Sequence, residues 1–209
     1  MLSLRWFSHN NASSAPTTPT VGGNAGRYQW NKKLADTLQG EIWLGKNTTT
    51  NKYVIIKVAI KQCVKNGVSK ANNKVPEDFK NESRIHRMLT DHLKNDIRNE
   101  KVGPNEIGFV TCEHYFKDKT NYYLVMQYCK DGDLFDYISS HHKSAASKVQ
   151  ASSQEWIEQV RHLFRQMVKG VSYMHSYNIV HQDLSLENTM LFDLDSLCIK
   201  IIDFGVAKE

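Results

Sequence analysis

The chain has 209 residues, 40% of them hydrophobic and 23% charged, with a formal net charge of +5. This is enough for one domain of ordinary size with a real core. No apolar run reaches the ~18 to 20 residues that cross a bilayer, and the positive charge is spread along the chain, so a membrane span and a nucleic-acid surface are both set aside.

Residues 1 to about 28 are rich in Asn, Ser, Pro and Gly. They are too poor in apolar groups to offset the entropy of ordering, and a disordered tail is expected. Met1 to Phe7 hold Arg5, several apolar groups and no acid, a pattern shared with organelle transit peptides; the plain alternative is a disordered leader. Trp30 to Leu44 and Lys52 to Ile60 have strand character, and the turn-prone Asn47 to Asn51 between them predicts a β-hairpin. Residues 62–75 are polar and read as a loop. Pro76, Glu77 and Asp78 then open a helix whose apolar stripe is Phe79, Ile85, Met88 and Leu89.

Phe109 to Phe116 and Asn121 to Tyr128 read as strands, and Asp133 to Ser139 as the start of a short helix. His141 to Ser153 is a Ser/Ala/Lys loop. Trp156 to His175 is a long amphipathic helix, with Val160, Leu163, Phe164, Met167, Val168 and Val171 at three- and four-residue intervals. Two short apolar pieces, Ile179 to Val180 and Cys198 to Ile202, flank a polar segment. Cys63, Cys112, Cys129 and Cys198 have neither CxxC nor zinc-ligand spacing, so reduced thiols of an intracellular, cytoplasmic protein are expected.

That polar segment reads His181-Gln182-Asp183-Leu184-Ser185-Leu186-Glu187-Asn188, and Asp203-Phe204-Gly205 follows fifteen residues after Asn188. A lone Asp or Asn on a loop is ordinarily a turn cap. Together, in this order and after a long helix, these residues resemble the H-R-D-L-x-x-x-N and D-F-G motifs of the eukaryotic protein kinase family. The resemblance spans roughly residues 30 to 209. It implies an α+β, protein kinase-like fold, with a five-stranded antiparallel N-lobe sheet and helix C over residues 29–127. Residues 128–209 would be the hinge and the first, mainly helical part of the C-lobe. It also implies a serine/threonine protein kinase that uses ATP and Mg²⁺ to phosphorylate a protein hydroxyl. Asp183 would then orient the hydroxyl, while Asn188 and Asp203 offer hard oxygens to the metal.

The family's phosphate-holding lysine has two candidates. Lys57 lies seventeen residues after Gly40, the family's usual distance, whereas Lys61 ends a literal Val58-Ala59-Ile60-Lys61. Four residues apart, both point to the same face of a strand. The Lys57 choice puts Ile55 where the family usually has a small alanine over adenine, which narrows the pocket. Glu82 matches the family's helix-C glutamate that pairs with the lysine; otherwise it is one more solvated acid on a helix. The resemblance places Ala35, Gly40 and Ile42 around the nucleotide and Met126 at the gatekeeper position. Gln127 and Cys129 fall on the hinge, Asp133 on the ribose, and Met190 on the floor of the adenine site.

Some positions depart from the family pattern. Of three loop glycines only Gly40 is present, and Asp36 adds negative charge near the phosphates, so weak nucleotide affinity is expected. Gln182 replaces the arginine that receives a phosphorylated activation segment, and Ser185 replaces a lysine near the transferred phosphate. Four residues follow D-F-G, so an apolar face of the Trp156 to His175 helix should be exposed and call for a stabilising partner. The alternative to an active kinase is a pseudokinase-like nucleotide-binding or scaffold protein without turnover.

Overall fold

The computed structural model of the protein describes residues 24–103, 106–146 and 154–209. The expected tail lies outside them up to residue 23. Asn24–Arg27 form a 3-10 turn, and Tyr28, placed in the tail from sequence, instead opens the first strand with its ring buried. The N-terminal part is a five-stranded antiparallel sheet. Its strands are β1 (Tyr28–Asp36), β2 (Gly40–Asn47), β3 (Tyr53–Ile60), β4 (Cys112–Lys117) and β5 (Asn121–Gln127), in the order β1-β2-β3-β5-β4. The expected five-stranded sheet is therefore present.

The β2–β3 hairpin pairs Ile42 with Lys57 and Gly40 with Ala59. Its turn closes on Asn47, whose side chain accepts from the N–H groups of Thr49 and Thr50, an Asx-type turn. β3 runs on through β5, pairing Ile55 with Met126. Two short elements escaped the sequence reading. Lys61–Asn66, expected in a loop, is a helical turn, α1, ended by Gly67 in the left-handed conformation at φ 64°. Thr189–Asp193 is a strand, β6, paired with β7 (Cys198–Ile201).

Helix α2 (Phe79–Arg98) starts where Asp78 accepts from the N–H groups of Lys80 and Asn81, an N-cap. It buries Phe79, Ile85 and Leu89. Helix α3 (Leu134–Ala146) runs into the segment expected as a loop, whose remainder lies outside the described residues. Helix α4 (Gln154–Ser176) buries Leu163, Gly170, Tyr173 and Met174. Of its apolar stripe, Val160, Phe164 and Val168 are exposed, Phe164 by 62%, the apolar face expected to be left open. Among the described residues no helix is long and apolar enough to cross a membrane.

The two parts meet along a backbone seam. Ile201 N–H donates to the Gly108 carbonyl at 2.8 Å, and Val110 N–H to the Ile201 carbonyl at 2.9 Å. One apolar cluster joins the sheet to β6–β7 through Ile42, Ile55, Met126, Met190 and Ile202. Another joins α2 to α4 through Ile85, Leu89, Phe109, Met174 and Phe204. The cleft between these clusters holds the polar residues singled out from sequence.

Candidate active site

Lys57 leaves the middle of β3 and its Nζ donates to both carboxylate oxygens of Glu82, at 2.7 and 2.9 Å. Asp203 Oδ1 lies 3.5 Å from the same nitrogen. Burial works against the Lys57 charge, but the Asp203 and Glu82 carboxylates outweigh it and raise its pKa. Burial raises the Glu82 carboxyl in turn, with Lys57 opposing. A contact this short, with both side chains enclosed, is held as an ion pair, because each charge is the other's main compensation for lost water. Lys61 goes elsewhere: β3 ends at Ile60, and the Lys61 amine donates to the Asp118 carbonyl.

The loop after α4 brings Asp183 and Asn188 together. The Asn188 amide donates to the Asp183 carbonyl at 2.9 Å and to the Asp183 carboxylate at 3.0 Å. Asn188 is 4% exposed, and its side-chain oxygen accepts no hydrogen bond among the described residues. Asp203 Oδ1 also accepts from Gly205 N–H at 3.1 Å, while its other oxygen carries no bond among the described residues. Lys57 and the Gly205 N–H keep its carboxyl below the usual carboxylate range, against the effect of burial.

His181 fixes the loop. Its Nδ1 accepts from Asp183 N–H at 3.3 Å, so Nε2 carries the proton that bonds the Ile202 carbonyl at 2.9 Å. Gln182 and Asp203 both take left-handed backbone angles, φ 65° and 64°, which few side chains adopt without a reason in the surrounding structure. Ser185 Oγ, in place of the family's lysine, accepts from Asn188 N–H and turns the loop on itself.

Ile55, Val110, Met126, Gln127, Tyr128, Cys129, Met190 and Ile202 line a narrow pocket with about 10 Å³ of space open to a water-sized group. Cys129 is buried, and its N–H has no partner among the described residues. Asp133 Oδ1 accepts from Asp136 N–H at 2.8 Å at the start of α3, and the Phe135 N–H also bonds its carboxylate. Ala35 and Ile42 pair across β1 and β2, with Ile42 fully buried in the cluster beneath. Gly40 is needed for a different reason than approach to phosphate: a Cβ there would fall 1.9 Å from the Val58 carbonyl oxygen.

Asp36, expected to burden the cleft with charge, is held by Lys33 at 3.0 Å and Lys70 at 2.5 Å. Glu77 was read only as an acid at the start of a helix. Its chain lies against Gly205 and it borders the space it shares with Lys57 and Glu82. Burial pushes its carboxyl up, Lys57 opposes, and Asp203 and Asp183 add to the rise. No spacing in the sequence marks that position. Among the described residues no three His, Cys, Asp or Glu side chains converge as a self-contained metal site.

A buried lysine–glutamate pair under a five-stranded sheet thus lies beside Asp203, with the half-buried Asp183 and the buried Asn188 joined on the loop after α4. The protein kinase domain model matches residues 28–209, and the chain belongs to the protein kinase family. It is 33% identical over 196 residues to the "Probable serine/threonine-protein kinase HSL1" of Saccharomyces cerevisiae, covering 87% of this chain and 12% of that protein. It is 32% identical over 200 residues to the "SNF1-related protein kinase catalytic subunit alpha KIN12" of Arabidopsis thaliana, covering 94% and 33% respectively. The chain thus spans a third or less of these relatives. The crystal structure of Rad53 residues 1–466 in complex with AMP-PNP matches with a TM-score of 0.54 at 22% identity, over 86% of this chain and 38% of that one; it shares the fold.

Proposed function

We propose that this chain carries the ATP-binding lobe and catalytic loop of a serine/threonine-type protein kinase, which transfers the ATP γ-phosphoryl group to a protein hydroxyl with Mg²⁺. The observation that carries this reading is the Asn188 side chain, whose amide is spent on Asp183 and whose buried oxygen has no donor among the described residues. With the second oxygen of Asp203 it makes a pair of hard ligands, to which Mg²⁺ would add its remaining bonds through phosphate and water. The metal, when bound, neutralises charge between the phosphates.

In this reading Lys57 binds phosphate oxygens and Glu82 keeps its ammonium in place. Asp183 accepts and orients the substrate hydroxyl. The Cys129 N–H and the Gln127 carbonyl meet the adenine edge, the Asp133 carboxylate meets the ribose, and Ala35, Ile42 and Met190 enclose the base. Gly40 lets β2 approach β3 closely enough to roof the site. The protein works inside the cell on a protein substrate, and the exposed Ile157, Val160, Phe164 and Val168 stripe of α4 is the face for a stabilising partner.

One observation favours a second reading, a nucleotide-binding or scaffold protein without turnover. The adenine-side pocket holds only about 10 Å³ of space open to a water-sized group, far below the ~300 to 1,000 Å³ of ordinary ligand sites, and Ile55 is among the side chains that line it. The two readings part on transfer of labelled phosphate from ATP to a general protein substrate such as casein. Kinase chemistry predicts transfer that Asp183→Asn lowers at least about a hundredfold while nucleotide binding persists. An active Asp183→Asn protein refutes the assigned mechanism, and a wild type that binds ATP without transferring phosphate supports the scaffold.

A further inference from the structure

The β1–β2 turn, Thr37 to Gln39, roofs the space bordered by Lys57 and Glu82. It contains no glycine and it does not hang free. Lys70 N–H donates to the Leu38 carbonyl at 2.7 Å, and Ile60 N–H to the Gln39 carbonyl at 2.9 Å. The Gln39 side chain, 5% exposed, reaches away from the cleft and donates to the Val68 and Cys63 carbonyls at 3.2 and 3.4 Å. Lys70 Nζ completes the attachment by donating to Asp36 at 2.5 Å and to the Gly40 carbonyl at 3.2 Å.

The attached segment is itself braced. Helix α1 is closed by Gly67, Val75 N–H returns to the Gly67 carbonyl at 3.1 Å, and Ser69 N–H donates to the Asn73 carbonyl at 2.7 Å. Val68 and Lys74 form a bridge pair. The turn is therefore tied to a small folded unit in the connection between β3 and α2.

We propose that residues 61–75 are a strap on the nucleotide-covering turn, and that Gln39 and Lys70 are positioning residues that set how fast nucleotide enters and leaves. This rests on the reading of the cleft as a nucleotide site. A glycine-rich turn lifts by rotating backbone bonds that cost little. Here lifting breaks the side-chain bonds of Gln39 and Lys70 as well. These bonds exist without any ligand, so they retard entry and exit alike, and a constraint that does not distinguish the bound from the free state leaves affinity nearly unchanged.

The test is stopped-flow release and binding of a fluorescent Mg-ADP analogue by the full 209-residue chain, in the wild type, Gln39→Ala and Gln39→Glu. Hydrogen exchange of the peptide covering residues 34–42 is followed in parallel without nucleotide. Gln39→Ala is expected to remain folded, because the Cys63 carbonyl keeps its bond from Val68 N–H. Gln39→Glu keeps the size and turns the attachment into repulsion between its carboxylate and the two carbonyls.

In both variants the turn peptide should exchange faster, and association and dissociation should both accelerate on the order of tenfold, the factor equivalent to about 1.4 kcal/mol. The equilibrium constant should stay within about twofold. Variants that release nucleotide at the wild-type rate, or that exchange no faster at residues 34–42, overturn the strap. Variants that lose affinity without faster association also overturn it, since they describe a mere loss of structure. A wild type that binds no nucleotide overturns the underlying site, and this role with it.

Discussion

His86 lies one helical turn beyond Glu82 on α2, 2% exposed, with its ring centroid 5.0 Å from that of Phe204. Its Nε2 meets the Val110 carbonyl at 2.6 Å. Burial is the strongest influence and pushes its pKa from 6.5 down to about 4; the bond to Val110 and the Asp203 charge pull upward and Lys57 adds to the fall. Between those values the unfolded chain holds a proton that the folded chain refuses. The stability His86 contributes is therefore complete above pH 6.5 and is lost as pH falls toward 4. At about 1.36 kcal/mol per pH unit the full window amounts to about 3 kcal/mol, of which about 2 is gone by pH 5. Urea denaturation of the wild type and His86→Leu at pH 7.5 and pH 5.0, followed by tryptophan fluorescence, isolates this contribution from other titrating groups. The wild type should lose about 2 kcal/mol relative to His86→Leu on acidification. A stability difference that does not change with pH would refute the enclosed, neutral histidine and with it the tight packing of α2 on Phe204.

Two further outcomes follow from packing. Gly40→Ala puts a methyl against the Val58 carbonyl and should cost about 1 to 3 kcal/mol in denaturant unfolding; a neutral substitution would mean the β2–β3 spacing is wider than described. Ile55→Ala should cost about 2 to 5 kcal/mol of stability as a core truncation yet tighten adenine-nucleotide binding measured by calorimetry, because the side chain removed lines the narrow pocket. Unchanged or weaker binding would remove Ile55 as the cause of the narrow pocket.

Much of the sheet and the two long helices was legible because their patterns are local. Val54, Ile55, Ile56, Val58 and Ile60 are β-branched in a run, and Asp78 caps α2 just ahead of an apolar stripe. The elements missed carry no such pattern. Helix α1 buries none of its residues, so it has no stripe to detect, and β6 lies within a segment read for its chemistry. The stripe of α4 divides between core and solvent, with Leu163 buried and Val160, Phe164 and Val168 exposed, since periodicity reveals a face without revealing which neighbours cover it.

At the site, the order of Asp183, Asn188 and Asp203 was visible, but their relations were not. Side-chain parity left Lys57 and Lys61 open; what distinguishes their surroundings is that β3 ends between them and the Lys61 amine turns to Asp118. Lys70 beside Asp36 and the Cys63 and Val68 carbonyls beside Gln39 come from residues 63–70, and that proximity depends on the fold of the whole connection.

The central claim is that Lys57 anchors a Mg-nucleotide site, and thermal unfolding of the 209-residue chain with and without millimolar Mg-ATP tests it most directly, beside Lys57→Met and Lys61→Met. A ligand bound only by the folded state must raise the unfolding temperature. The account predicts a rise in the wild type and Lys61→Met that disappears in Lys57→Met; a folded wild type with no rise, or a rise abolished by Lys61→Met alone, would contradict it.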